Sequence, residues 1–147
     1  MISTLQIDWT EIEFIGRVLL SVLLGAVIGF EREITQKPAG LRTHIFVCMG
    51  ACLFTISSYS LIPAGSTATT DPSRIAAGIV TGISFIGAGS IIAGKTDVRG
   101  LTTAASLWVI AAIGLMVGLG NYILPMASTI IAFFVLRLGV VSDKRTG

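Results

Sequence analysis

Long apolar runs, separated by short polar segments, make up most of this sequence. Each run is about 20 residues long, which is the length that a helix needs to cross a hydrocarbon core of about 30 Å. The runs lie at residues 14–33, 42–62, 74–93, 101–119 and 121–140. This pattern predicts an all-α integral membrane protein, with five transmembrane helices in a single transmembrane domain over residues 1–147.

Turn-forming residues mark the boundaries between the predicted helices. Pro38 and Gly40 follow the first run, and Asp71 or Ser73 offers an N-cap for the third. The last two runs are separated by segment 118–125, GLGNYILP, which is typical of a tight turn. One continuous helix over residues 101–141 would be about 60 Å long, so we expect a break there.

The composition agrees with a membrane protein. Hydrophobic residues make up 53% of the chain and charged residues 12%, whereas roughly a quarter of a soluble domain is charged. The net charge of +2 is far from the basic surface that neutralises phosphates, and we expect no nucleic-acid partner. Asp8, Glu11 and Glu13 stand where a signal peptide has basic residues, so we expect the first run to be retained as a span.

Lysine and arginine are distributed unevenly between alternate polar segments. One side of the predicted bundle has Arg32, Lys37, Arg42, Lys95, Arg99, Arg137, Lys144 and Arg145. The other side has Arg74 and Arg17, and Arg17 can snorkel outward or pair with Glu13 four residues earlier. Because cytoplasmic loops hold the excess of positive charge, this bias predicts an outside N-terminus and a cytoplasmic C-terminus.

Short motifs recur along the chain. GLRTH begins at Gly40 and GLTTA at Gly100, which predicts a parallel repeat of helices 1–2 and 3–4 in which Thr43 and Thr103 are equivalent. A Gly-Ala pair precedes each motif, starting at Gly25 and at Gly87. Small residues also recur every four positions, at Ser21, Gly25 and Gly29, at Gly78 and Gly82, and at Gly114 and Gly118. This spacing favours close helix packing, either inside one bundle or across a homodimer or other homo-oligomer.

Charged residues cluster in segment 29–46. Glu31 and Glu33 end a helix, where the macrodipole disfavours negative charge, so both need partners. The binding cluster that we predict faces the cytoplasm and contains Glu31, Arg32, Arg42, Thr43, Arg99, Thr102 and Thr103. It can hold an ion pair of Glu31 with Arg42 or Arg99, or a phosphate or lipid headgroup at the two helix starts. The alternative is a solvated rim.

His44, Cys48 and Cys52 form the one soft-metal ligand set in the sequence. They are spread over about 12 Å of one helix face, so they cannot converge on a single ion. We therefore interpret the cysteines as small apolar core residues. The sequence indicates no cofactor.

Four blocks of the sequence resemble the MgtC/SapB family of membrane proteins. They are GAVIGFERE, KPAGLRTHIFVCMGA, DPSRIAAGIVTGISFIGAGSII and VRGLTTAASLWVIAAIGLMVGLG. The resemblance implies a multi-pass protein of the bacterial inner membrane, associated with survival at low magnesium, in acid or inside host cells during virulence. Members with the virulence role carry a soluble C-terminal domain, and we expect this chain to supply the transmembrane domain only.

Two functions fit these features. An oligomeric transporter or channel for magnesium or another ion needs oxygen ligands near the bilayer midplane, yet the acidic residues lie at the predicted rims. Binding or regulating another membrane complex needs no central charge, and this is the function that we expect, with the lipid bilayer and a membrane protein as partners. Catalysis is not expected, because no set of side chains meets the geometric roles of an active site.

Overall fold

The computed structural model describes residues 9–60, 71, 73–94 and 97–143. Within these ranges the chain forms five α-helices and one short β-hairpin. The elements are α1 (Trp9–Ile34), α2 (Leu41–Ser60), α3 (Ser73–Gly89), β1 (Ile92–Ala93), β2 (Val98–Arg99), α4 (Leu101–Gly118) and α5 (Ile123–Asp143). The expectations that depend on Asp8, Lys95, Lys144, Arg145 and positions 61–62 lie outside the described residues. The orientation in the membrane stays a prediction.

Each predicted span overlaps one helix, and the predicted turn between the last two is confirmed. The N–H of Leu119 bonds to the carbonyl of Leu115 at 3.0 Å, and the N–H of Gly120 bonds to that of Val117 at 2.9 Å. Gly120 has a φ of 82°, a conformation that side chains other than glycine rarely adopt. These bonds end α4 and turn the chain towards α5.

The predicted third span, 74–93, is wrong at its C-terminal end. The helix stops at Gly89, and the last residues of the span form β1, which pairs antiparallel with β2. Both the N–H and the hydroxyl of Ser90 bond to the carbonyl of Gly87, at 3.0 and 2.7 Å, which tightens the final turn. Gly100 then starts α4 with a φ of 89°, where a Cβ would lie 2.0 Å from the Ser90 carbonyl oxygen. The apolar sequence continues beyond Gly89, but the hydrogen bonds of Ser90 to the Gly87 carbonyl end the helix there.

Three helices are long and apolar enough to cross a membrane: Thr10–Ile34, Leu41–Ser58 and Leu101–Gly118. Ser73–Gly89 and Ile123–Leu138 are shorter apolar helices. Large apolar side chains lie exposed on the outer faces, among them Phe30, Phe85 and Phe134. Exposed apolar surface on this scale suits a lipid environment. These are the features of a helical membrane protein.

The α4 helix lies at the centre of the bundle and contacts each of the other four helices. The most buried residues of the core around it are at most 1% exposed and include Ile28, Cys48, Cys52, Ile110 and Val117. Glycines let the helices approach closely, because a Cβ on Gly114 would lie 2.1 Å from the Cys48 carbonyl oxygen. Gly25 and Gly118 are similarly crowded by α2. Internal packing is therefore confirmed for the small residues of α1 and α4.

Glycines that the repeat predicts to be equivalent contact equivalent positions. Gly25 in α1 lies against the backbone of His44 in α2, and Gly87 in α3 lies against Ala104 in α4. Positions 44 and 104 correspond when the two GLxT motifs are aligned. The connections differ, since a tight turn joins α1 to α2 and a hairpin joins α3 to α4. The parallel repeat as a whole stays a prediction.

Candidate functional site

The structure divides the seven residues of the predicted cluster between the interior and the surface. Those that are buried or half-buried are Glu31, Arg32, Thr43 and Thr103. Those that are exposed are Arg42, Arg99 and Thr102. The side chains of the cluster thus lie in two environments with different chemistry.

A buried ion pair joins neighbouring residues at the end of α1. Nε and Nη2 of Arg32 both contact Oε2 of Glu31, and the two residues are only 2% and 1% exposed. The predicted pairing of Glu31 with Arg42 or Arg99 is wrong. Glu31 faces the interior whereas Arg42 is exposed, and Arg99 is held 2.7 Å from Asp97 on the hairpin. The interior carboxylate therefore pairs with the cation beside it on the same helix.

The second oxygen of the Glu31 carboxylate has a different environment. Oε1 is buried and has no hydrogen-bond partner among the residues that the structure describes. A buried charged oxygen without a partner carries a free-energy cost of about 1–3 kcal/mol or more. Glu31 is thus a buried carboxylate and not part of a solvated rim.

Glu33 has a structural partner that the sequence did not predict. Its Oε2 accepts a hydrogen bond of 2.9 Å from the backbone N–H of Leu41, the first residue of α2. The carboxylate that is disfavoured at the end of α1 thereby lies at the N-terminus of α2, where negative charge is favourable. Gly40 makes room for it, because a Cβ there would lie 1.8 Å from the same oxygen.

His44 links α2 to α4 inside the bundle. The residue is fully buried, and its Nδ1 donates to the carbonyl of Gly40 at 2.9 Å. Its Nε2 lies 3.0 Å from Oγ of Ser106, which in turn lies 2.8 Å from the carbonyl of Thr103. The Ser106 hydroxyl has one proton, and His44 Nε2 and the Thr103 carbonyl oxygen compete to accept it.

We call Glu31, Arg32, His44, Thr103 and Ser106 the buried polar network. Its charged pair lies at the end of α1 that packs against His44, because a Cβ on Gly29 would lie 3.1 Å from the Cβ of His44. The sequence drew attention to His44 as a member of a soft-metal ligand set. No signal in the sequence joined it to Ser106, because the contact depends on which faces of α2 and α4 meet.

The cysteines belong to the apolar core. Cys48 and Cys52 are unpaired by disulfides and 0% exposed. Among the described residues, no group of three or more His, Cys, Asp or Glu side chains is placed to hold a metal ion. The interpretation of both cysteines as core residues is confirmed by their burial.

A second polar contact lies at the opposite end of the bundle. Arg17 pairs with Glu13 at 2.6 Å, as its spacing predicts, and donates to the carbonyl of Gly118 at 2.7 Å. That carbonyl belongs to the last residue of α4, where a positive charge interacts favourably with the helix dipole. Arg17 therefore fastens α1 to the end of α4.

Between these two ends, the polar side chains bond to their own helices. The hydroxyls of Ser21, Thr55 and Ser58 donate to backbone carbonyls three or four residues earlier, at 2.7, 2.8 and 2.7 Å. Because these hydroxyls bond to their own helices, the layer between the two polar ends contains mainly the apolar core described above. In the described part of this layer, no row of free polar groups connects the two ends.

An apolar cleft of about 810 Å³ separates α2 from α3. It extends from Arg42 and Thr43 at one end to Phe54 and Arg74 at the other. Between them it is lined by Phe46, Val47, Gly50, Ala51, Ile75, Gly78, Ile79, Gly82, Ile83, Ile86 and Ala111. A Cβ on Gly50, Gly78 or Gly82 would meet nothing within 4 Å. Gly78 and Gly82 of α3 thus face open space, unlike Gly25 of α1 and Gly114 of α4.

Five apolar helices, a buried ion pair near one end and an open cleft between two helices define a small helical membrane protein. Residues 18–144 match the MgtC family, and the chain belongs to that family. The family resemblance of the four sequence blocks is thereby confirmed.

Curated relatives agree with this assignment. The chain is 45% identical over 129 residues to the Escherichia coli K12 protein named "Putative magnesium transporter YhiD", covering 86% of this chain and 60% of the relative. It is 48% identical over 118 residues to "Protein MgtC" of Salmonella typhimurium LT2, covering 80% and 48%. The chain thus spans about half to three-fifths of the length of these relatives. No solved structure matches it.

Proposed function

We propose that this protein supports adaptation to low magnesium by binding and regulating another membrane complex, without catalysis and without conducting ions itself. We also propose that it is a multi-pass protein of the bacterial inner membrane, with the same role in acid or intracellular stress. The observation that carries this proposal is the closed middle of the bundle.

Apolar side chains and backbone contacts fill the space between the two polar ends. Ile110 and Val117 are fully buried there, and Gly114 brings α4 into contact with the backbone of Cys48 in α2. An ion that crosses a transporter needs oxygen ligands near the midplane. In the described part of this layer, the hydroxyls already bond to their own helices. This arrangement supports binding of a partner protein at the surface of the bundle and not conduction of ions through it.

The link to magnesium rests on the relatives. One of them is named "Putative magnesium transporter YhiD", and this chain covers 60% of its length. The activity of the whole relative therefore extends to this chain only as a proposal. Family membership supports a magnesium-related role in the membrane.

Two measurements on the same protein test this function. In cells that lack their own copy, the protein should restore growth in low-magnesium medium. In liposomes that contain a magnesium-sensitive dye, the purified protein should admit no more Mg²⁺ than protein-free liposomes do. Saturable Mg²⁺ entry through the purified protein would contradict the proposal.

The partner can be sought with a photo-crosslinking amino acid at an exposed position. Phe85 on α3 is 83% exposed and should reach a neighbouring membrane protein. Ile83 on the same helix is buried and serves as the matched control. A specific adduct at position 85 and none at 83 is the expected result in cells grown at low magnesium.

Transport by an oligomer is the second candidate, and one observation favours it. The buried Oε1 of Glu31 has no partner within the described ranges, and carboxylate oxygens are ligands that Mg²⁺ prefers. If an oligomer conducts Mg²⁺ through this site, Glu31→Gln should abolish the liposome flux. Asp97→Asn, which changes an exposed carboxylate on the hairpin, should leave that flux unchanged.

A further inference from the structure

The α2–α3 cleft is long enough to hold an acyl chain over the depth of one membrane leaflet. On α2 it runs from Arg42 to Phe54, which at 1.5 Å per residue is about 18 Å. Half of a hydrocarbon core of about 30 Å is about 15 Å. An extended hydrocarbon chain that begins near Arg42 would therefore stay inside the cleft over the depth of one leaflet.

The Arg42 end of the cleft carries a positive charge without a carboxylate partner. Arg32 pairs with Glu31 and Arg99 pairs with Asp97, whereas Arg42 forms no ion pair with any residue that the structure describes. At the other end, Arg74 likewise forms no ion pair within the described ranges. Each end of the cleft thus has one arginine without an ion pair, and the one at the start of α2, Arg42, lies on the side that the charge bias predicts to be cytoplasmic.

We propose that the α2–α3 cleft binds one anionic phospholipid, with its phosphate at Arg42 and one acyl chain along the cleft. Basic sites between transmembrane helices are a recurring way to hold anionic headgroups. The cleft volume of about 810 Å³ lies in the range of about 300–1,000 Å³ that is usual for ligand sites. Phe46 and Phe54 form its wall, and the bare backbone of Gly78 and Gly82 leaves room for the chain.

A helix from a second copy fits the same cleft less well. Such a helix would fill the apolar space, but it would have to bring a negative charge to Arg42. Of the carboxylates near this end, Glu33 accepts from the Leu41 N–H and Asp97 pairs with Arg99. The phosphate of an anionic lipid such as phosphatidylglycerol supplies that charge, and its headgroup contains no cation that would offset it, unlike the choline of phosphatidylcholine.

Fluorescence of a tryptophan in the cleft, quenched by brominated lipids, tests the proposal on the full 147-residue chain. Trp9 and Trp108 are changed to phenylalanine, and Phe46→Trp places a single fluorophore in the cleft wall. The protein is reconstituted in phosphatidylcholine vesicles that contain either brominated phosphatidylglycerol or brominated phosphatidylcholine as a quencher. We expect brominated phosphatidylglycerol to be enriched at the reporter by about fivefold, the preference that one arginine near a membrane surface provides.

Matched variants distinguish the effect of the Arg42 charge from the effect of the open space in the cleft. Arg42→Gln should remove the preference for phosphatidylglycerol, Arg42→Lys should keep it, and Arg99→Gln should keep it because Arg99 does not line the cleft. Gly78→Leu should fill the cleft and lower quenching by both lipids. Gly16→Leu, at a position in α1 that is equally open and outside the cleft, should not.

Three outcomes would overturn the proposal. The first is equal quenching by both lipids in the parent protein. The second is a preference for phosphatidylglycerol that survives in Arg42→Gln. The third is quenching by both lipids that appears only when the protein is diluted in excess lipid. That result would mean that a second copy of the chain occupies the cleft.

Discussion

Nε2 of His44 lies 3.0 Å from Oγ of Ser106, and this contact joins α2 to α4 across 62 positions of the sequence. Both residues are buried, so neither side chain can turn to water if the contact is lost. The contact lies one helical turn from Thr103 and near the Glu31–Arg32 pair. Stability at this end of the bundle should therefore respond to changes at Glu31, Arg32, His44 and Ser106, whose side chains form these contacts.

Ser106→Ala should destabilise the protein by about 1 kcal/mol, because it removes the partner of His44 Nε2 and leaves a buried polar atom unsatisfied. The free energy of unfolding in detergent micelles measures this. Ser84→Ala is the matched control, since the Ser84 hydroxyl bonds only to Val80 on its own exposed helix face. Equal effects of the two substitutions would show that the contact between α2 and α4 does not contribute.

Glu31→Gln should destabilise the protein by about 3–5 kcal/mol, the usual cost of removing one partner from a buried ion pair. The same substitution strategy at the exposed hairpin pair, Asp97→Asn, should cost less than about 1 kcal/mol. A double-mutant cycle with Arg32→Gln should give a large coupling energy at the buried pair. Abundance in the membrane should fall with stability.

Growth at low magnesium distinguishes a structural Glu31 from a functional one. Loss of growth together with loss of abundance would make the ion pair structural. Loss of growth at normal abundance and stability would make it a binding site, as the sequence analysis expects. Normal growth and normal stability of Glu31→Gln would contradict both roles.

Gly114→Ala should destabilise the bundle by about 1–3 kcal/mol, because the added methyl would lie 2.1 Å from the Cys48 carbonyl oxygen and force α4 away from α2. Gly82→Ala should be neutral or stabilising by up to about 1 kcal/mol, since its Cβ meets nothing within 4 Å and alanine favours a helix. Thermal unfolding of both variants tests this. Similar losses would mean that the cleft is closed around Gly82 in the membrane.

Cysteine labelling tests the predicted orientation. Thr146→Cys in intact cells should give no signal with a membrane-impermeant reagent, because the charge bias predicts a cytoplasmic C-terminus. Asn121→Cys, in the exposed turn between α4 and α5, should label strongly. The native cysteines are fully buried and should add little background. The reverse labelling pattern would invert the predicted orientation.

Features that depend on neighbouring residues could be predicted from the sequence. The five helices follow from apolar runs of about 20 residues. The contact of Arg17 with Glu13 follows from a four-residue spacing on one helix, and the turn after Gly118 follows from its glycines. The small-residue stripe at Gly114 and Gly118 predicted close packing of α4, and the structure shows that α2 is the partner.

The sequence by itself determined the five apolar helices, the turn between α4 and α5 and the family, because these depend on local spacing and on apolar length. Only the tertiary structure decided that Glu31 is buried beside Arg32, that His44 meets Ser106, and that α3 leaves a cleft beside α2. The physical reason is that α2 and α4 are nearly equally apolar on all faces, so the sequence does not say which face points inward. In a membrane, close packing and a few buried hydrogen bonds make that choice, and both depend on residues far apart in the chain.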